Sequence, residues 1–410
     1  MAVAWVFECR FKSPTNRKEA FVLKHHKKAA AASVLCLSLL LSACGNNTNN
    51  ADNPLDKVQV DMNGATAAPS ASFSTPFSVD RNVSRVIEEG SGEAIQDGDN
   101  ILVEITQFNG TDGSSKDAQG REQTTYASAP FNITVNEQLK EEDPEAYETV
   151  KKLKVGGSFM MSSNRDPRVQ PSPGAPAKTV SPGTPTNVQV ITVKQKINNL
   201  VSGKAEAEDP KLPKFTLDEK SGKAEIKLPE DKGEEPKELV SKDLIVGSGE
   251  KVKETDNVYA RYMGVRWSDG KEFENHYNAD STQPVVGFPL QQVIQGWQKG
   301  LVGKTVGSRV ELIIPANLAY GEQAPENTKG ALVFVIDIID AKTNHSAVKA
   351  KEQTDALKKQ AAEKAASASA NPSGGAAPSQ TPAPSGDGSA SASASPAATE
   401  QKPSESASTK

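Results

Sequence analysis

Along the stretch from Pro284 to Asp340 the spacing of apolar residues changes from one element to the next. Val293, Trp297 and Leu301 recur at every fourth position, which places them on one face of a short helix. From Ser308 to Ile314 the period drops to two, with Val310, Leu312 and Ile314 on one side and Arg309, Glu311 and Ile313 on the other. That alternation predicts a strand with one buried face, and Pro315 ends it. Leu332 to Ile339 is almost wholly apolar and rich in β-branched residues, as in a central strand. Upstream, Val258 to Trp267 reads as a strand, Ser268 to Lys271 as a turn, and Glu272 to Asn275 as the next strand.

The same pattern is written twice. Gly90-Ser91-Gly92-Glu93 matches Gly247-Ser248-Gly249-Glu250. At the same offset, Asp99-Asn100 matches Asp256-Asn257, and Asp112-Gly113 matches Asp269-Gly270. An unbroken offset argues for duplication of a whole domain. Val155-Gly156-Gly157-Ser158-Phe159 resembles Val306-Gly307-Ser308-Arg309, and Val188 to Val193 resembles the last strand. The two copies span 77–198 and 237–343.

Composition fills in the rest. Only 5% of the 410 residues are aromatic, so much of the chain is expected to lack a packed core. Residues 45–76, rich in Asn, Ala, Ser and Pro, read as a flexible tether. Residues 199–236 read as a linker; Lys214–Asp218 and Ala224–Leu228 within it alternate weakly, like a small hairpin that is marginal by itself. Residues 344–410 read as a low-complexity tail, with Lys349 to Ala366 able to form a frayed helix before a disordered end.

At the other end, basic Lys24 to Lys28, apolar Ala29 to Leu41 and Leu41-Ser42-Ala43-Cys44 form a secretory signal too short for a comfortable membrane span. Leu41-Ser42-Ala43-Cys44 resembles a bacterial lipobox, which implies a signal peptide over 1–44 and a lipid-anchored, extracytoplasmic protein held to the cell membrane through Cys44. The net charge of -5 gives no support for a nucleic-acid partner. The four histidines show no zinc-ligand spacing, so no metal site is expected. All three cysteines precede residue 45, which leaves no disulfide to the globular region.

Val293-Ile294-Gln295-Gly296-Trp297, then Ala319-Tyr320-Gly321, then Leu332-Val333-Phe334 resemble the FKBP-type peptidyl-prolyl isomerases. The resemblance runs from Leu239 to Thr343. It implies an α+β fold, an antiparallel sheet curled on one short helix, with an apolar hollow between them. It also implies a monomeric, cofactor-free enzyme that turns X-Pro bonds of exported, folding polypeptides and binds the macrolide inhibitors of the family. By that likeness Trp297 floors the hollow under the proline ring, and Tyr262, Phe273 and Phe334 wall it. Val293 and Ile294 line a rim, the Ile294 backbone N–H bonds one substrate carbonyl, and the Tyr320 hydroxyl bonds another.

Some positions depart from the family. Glu274 stands where an aspartate is usual. Val285 fills a slot that is usually aromatic, with Phe288 displaced nearby, and the loop from Glu322 to Gly330 is short. Reduced catalysis and weaker macrolide binding follow as expectations, and a non-catalytic FKBP-fold chaperone or scaffold is the alternative. The first copy lacks the chemistry: Ile105 stands opposite Tyr262, Tyr147 to Leu153 replaces the Gly-Trp helix, and a Pro-rich loop replaces Ala-Tyr-Gly.

Overall fold

The structure is a computed structural model and describes residues 52–166, 178–219, 221–277, 285–321 and 324–369. The signal segment with Cys44, part of the Pro-rich loop after Asp166, and the tail beyond Ser369 lie outside these residues.

In chain order the strands and helices are β1 (Gln59–Asp61), β2 (Ser70–Ser72), β3 (Val83–Glu88), β4 (Asn100–Phe108), β5 (Phe131–Thr134), α1 (Glu137–Glu142), α2 (Pro144–Val150), β6 (Ser158–Ser162) and β7 (Val188–Ile197). There follow β8 (Lys204–Ala205), β9 (Lys214–Asp218), β10 (Lys223–Lys227), β11 (Val240–Val246), β12 (Asp256–Arg266), β13 (Glu272–Asn275), β14 (Val286–Pro289), α3 (Gln295–Leu301), β15 (Arg309–Ile314), β16 (Leu332–Thr343) and α4 (His345–Ser369). The molecule is mostly sheet with few helices.

Two antiparallel sheets share one strand order. The first runs β3-β6-β7-β4-β5; the second runs β13-β12-β16-β15-β11-β8, with β14 also on β12. Their irregularities coincide at the sequence offset. The β4–β7 register slips between Leu102 and Val103, and the β12–β16 register slips between Tyr259 and Ala260. Gly92 donates to the Val155 carbonyl at 2.9 Å, as Gly249 donates to Val306 at 3.0 Å. Leu102 and Tyr259, equivalent residues at the two bulges, are fully buried in one cluster with Val285 and Ile339. Tyr259 Oη donates to the Pro130 carbonyl at 2.5 Å and Asn132 Nδ2 to the Val285 carbonyl at 2.8 Å, so the sheets are joined by both packing and hydrogen bonds.

The helix α3 has seven residues and no side-chain N-cap, too little to stand alone in water. Packing holds it. Trp297 and Leu301 are buried against Val310, Leu312, Ile314 and Phe334. Gly296 and Gly300 face the same way: a Cβ on Gly296 would meet Ile314 Cγ2 at 2.4 Å, and one on Gly300 would meet Leu312 Cδ2 at 2.5 Å. The helix therefore sits nearer the sheet than alanine would permit.

The compositional reading fails in the joining segments. Residues 54–76 do not read as a tether in the structure. Leu55 and Val58 are buried with Phe77, Val79 and Val83 on the outer face of the first sheet, and β1 pairs with β2. A few anchors suffice because the apolar face they cover already exists. The 199–236 linker is likewise packed. Its hairpin β9–β10 buries Ala224 and Ile226 against Met263, Val265, Trp267, Ile313, Val333 and Val335. The strand β15, read as having one buried face, is therefore buried on both: Glu311 is 0% and Ile313 2% exposed. The expected tail begins with the helix α4, tied back by the His345 N–H to the Ser128 carbonyl at 2.8 Å. No helix among the described residues is long and apolar enough to cross a membrane.

Candidate functional site

Five rings from four strands and α3 meet on the helix side of the second sheet. Tyr262 comes from β12, Phe273 from β13, Phe288 from β14, Trp297 from α3 and Phe334 from β16. The Tyr262 and Trp297 rings stand at 89° with centroids 5.0 Å apart; Trp297 meets Phe334 at 87° and 5.2 Å, and Phe288 at 73° and 5.3 Å. Phe273 completes the set against Phe334 at 85° and 5.5 Å. These are edge-to-face pairs, which set positive ring edges on negative faces and fix each ring's tilt. Gly264 makes room for two of them: a Cβ there would lie 2.6 Å from Phe273 Cζ and 2.9 Å from Phe334 Cε1.

One polar chain borders the rings. Tyr262 Oη donates to Glu274 Oε1 at 2.5 Å, and His276 Nε2 lies 3.2 Å from the same oxygen. The His276 ring lies against Tyr262, tilted at 36°, with centroids 4.5 Å apart. Burial, and then the hydrogen bond to Glu274, push the Tyr262 phenol far above its ordinary value. Burial would also push the Glu274 carboxyl up, but hydrogen bonds from His276 and Tyr262, with the His276 charge, outweigh it and hold the group low. The Tyr320 phenol is raised by burial and then by the Glu274 carboxylate. The site thus holds a neutral phenol and an ionised carboxylate beside a cluster of apolar rings, of which Tyr262, Trp297 and Phe334 are buried.

Residues 248–339 match the family described as FKBP-type peptidyl-prolyl cis-trans isomerase. The chain is 38% identical over 121 residues to a probable FK506-binding protein of Corynebacterium glutamicum, covering 29% of this chain and 98% of that protein. The chain belongs to the FKBP-type peptidyl-prolyl cis-trans isomerase family. Among its relatives is FkpA of Escherichia coli, an FKBP-type peptidyl-prolyl cis-trans isomerase, 36% identical over 130 residues; the match covers 31% of this chain and 46% of FkpA. The crystal structure of that protein matches with a TM-score of 0.24, covering 26% of this chain and 48% of the other at 36% identity.

Tyr262, Phe273, Trp297 and Phe334 come together, with Val293 and Ile294 half-buried against the same cluster. Ile294 is the last extended residue before α3. Tyr320, 46% exposed, stands in the turn after residues 316–318, where the Glu274 charge still reaches it. Glu274, longer than the usual aspartate, reaches both Tyr262 and His276.

Two members of the site escaped the sequence reading. Phe288 is not displaced from the rim: it pairs with Val258 across β12–β14 and lies against Tyr262 and Trp297. Val285 leaves instead for the buried cluster between the sheets. Alternation of Val286 and Phe288 along β14 was the available signal. The role of His276, two residues beyond Glu274, had no sequence signal.

Proposed function

We propose that this FKBP-family isomerase works by holding the twisted X-Pro amide over Trp297, between Tyr262, Phe288 and Phe334. The X-Pro bond is a tertiary amide, and amide resonance opposes rotation by roughly 18–20 kcal/mol. Resonance puts negative charge on the carbonyl oxygen, which water stabilises. At the twisted geometry that charge is lost and the nitrogen becomes pyramidal. A dry aromatic surface disfavours the charge-separated planar form and favours the twisted one. A thousandfold gain needs only about 4 kcal/mol of such preference. The edge-to-face packing of Tyr262, Phe288 and Phe334 around Trp297 is the observation that carries this reading. The Ile294 N–H and the Tyr320 hydroxyl are the donors we assign to the substrate's flanking carbonyls. A protease-coupled assay on an Xaa-Pro peptide with the full chain tests it: acceleration supports turnover, and binding without acceleration would leave a holding module.

The substrates we assign are exported polypeptides still folding, met outside the membrane by a protein anchored through lipidated Cys44. The lipobox-like Leu41-Ser42-Ala43-Cys44 supports this assignment. Replacement of Cys44 by serine should move the protein from the membrane fraction to the soluble fraction; unchanged fractionation would refute the anchor.

The first sheet is, in this reading, a second FKBP-like domain without catalysis. Its core contains Tyr147 and Phe159 among aliphatic residues, and Ile105 packs where Tyr262 packs in the other sheet.

A further inference from the structure

A hollow of about 670 Å³ lies on the opposite side of the second sheet from the aromatic site, between the outer face of β11 and β15 and the strap that leads into β9 and out of β10. Leu212, Phe215, Leu228 and Leu244 give it apolar walls. Glu311 lines it from β15. That side chain is 0% exposed, and neither Oε1 nor Oε2 has a hydrogen-bond partner among the described residues.

A buried carboxylate without a partner is costly, because the protein replaces none of the hydration it has lost. The neighbouring cations do not supply the need. Arg309 turns to Asp337, with Nε to Oδ1 at 2.6 Å and Nη2 to Oδ2 at 2.8 Å, and its guanidinium stacks on Phe215 at 4.8 Å. Lys214 pairs with Glu208 at 3.2 Å. Lys242 sits directly across the strand pair from Glu311, yet no cation comes within 4.0 Å of either oxygen among the described residues. The remaining charges on the wall are Lys227 and the carboxylates Glu206, Asp209 and Glu230. Asp209 adds repulsion, and burial with that repulsion pushes the Glu311 carboxyl up to about 8. A metal is a poor fit: no group of three His, Cys, Asp or Glu that could hold one occurs among the described residues.

We propose that this hollow is a binding site for a small organic ammonium ion, whose charged end pairs with Glu311 and whose carbon body lies against Phe215 and Leu212. The volume falls within the range of small-ligand pockets, roughly 300–1,000 Å³, and such pockets combine apolar walls with a few fixed polar groups. Binding of an ammonium releases the Glu311 proton to solvent and satisfies the carboxylate so formed, and an apolar body replaces water along the walls. A bare inorganic cation does only the first.

The test uses the full chain, hexylammonium as the ligand, and hexan-1-ol as its neutral counterpart. Amide shifts of Phe215 and Glu311 are followed by NMR. Saturable shifts are expected with hexylammonium, and affinity at least about tenfold weaker for hexan-1-ol, equal to about 1.4 kcal/mol. Glu311→Gln keeps the shape and should remove that preference while leaving prolyl isomerisation unchanged. Equal affinity for the two compounds, undiminished preference in E311Q, or no saturable shift at Phe215 and Glu311 would each overturn the proposal. The comparison of the two compounds on the unaltered protein stands even if the variant fails to fold.

Discussion

The Tyr262 hydroxyl donates to Glu274 Oε1 at 2.5 Å, and that bond ties the wall of the aromatic site to a carboxylate which His276 also holds. Tyr262 spends its proton on Glu274, so it serves as a fixed apolar wall more than as a substrate donor. Tyr262→Phe removes one of the bonds that keep the Glu274 carboxyl low. Its pKa should then rise, as read by carbonyl NMR titration; an unchanged or lower value would break the link. A carboxyl with a depressed folded pKa gives stability that is present above its unfolded value of about 4.3 and lost as pH falls through the folded value. Glu274 therefore stays ionised at neutral pH, and kcat/KM should show no inflection from it between about pH 5 and 8.

Gly296 gives a test whose sign is informative. On a free helix surface, Gly→Ala stabilises by up to about 1 kcal/mol. Here the new Cβ would lie 2.4 Å from Ile314 Cγ2 and 2.7 Å from its Cδ1. Gly296→Ala should lower stability by about 1–3 kcal/mol in denaturant titration and lower kcat/KM with it, because α3 carries Trp297. A stabilised variant would mean that the helix does not need this close approach.

Burial of Glu311 has a consequence for stability. Its folded pKa is raised to about 8, so the folded state holds a proton that the unfolded state releases near 4.5. The contribution is fully present below the unfolded pKa and is lost as pH rises through this window, at up to about 1.4 kcal/mol per pH unit. Glu311→Gln should flatten the slope of unfolding free energy against pH between these values. A slope equal to that of the unaltered protein would show Glu311 to be ionised or paired throughout.

Catalysis should reside in one sheet. Among the described residues the first sheet offers no counterpart to the Tyr262–Trp297 pair, since Ile105 and the helix α2 occupy the equivalent places. A full chain carrying Trp297→Leu and Tyr262→Phe should retain less than about a tenth of the kcat/KM, equivalent to more than about 1.4 kcal/mol of transition-state binding. Circular dichroism checks that the sheets persist. Activity above half in a folded double variant would assign turnover elsewhere.

Periodicity made the strand β15 and the helix α3 legible, and the nearly unbroken apolar run of β16 marked it as a central strand. Trp297 was legible from the same spacing, while Tyr262, Phe273 and Phe334 were legible as site residues only through the family resemblance. Phe288 was not, since the run Val285 to Pro289 contains two plausible inward registers, and only the pairing of Phe288 with Val258 chooses between them. Composition misled at Leu55, Val58, Ala224 and Ile226. Sparse apolar residues in polar surroundings read as a tether or a linker, yet each becomes buried because it meets a sheet face formed far away in sequence. The same blindness hid Glu311. It alternates as a solvent-facing residue, and the hairpin β9–β10 that packs on that face is separated from it in sequence by every element from β11 to α3.

The Trp297 indole Nε1 is buried without a partner among the described residues and so should report any ligand laid over the ring. The direct measurement is exchange NMR on the full chain with a proline peptide, recording the cis–trans rate and the Trp297 indole signal in one sample. Accelerated exchange, with an indole shift that saturates at the same peptide concentration as the rate, is the predicted result. Accelerated exchange with an unmoved Trp297 signal, or a moved signal with uncatalysed exchange, would contradict it.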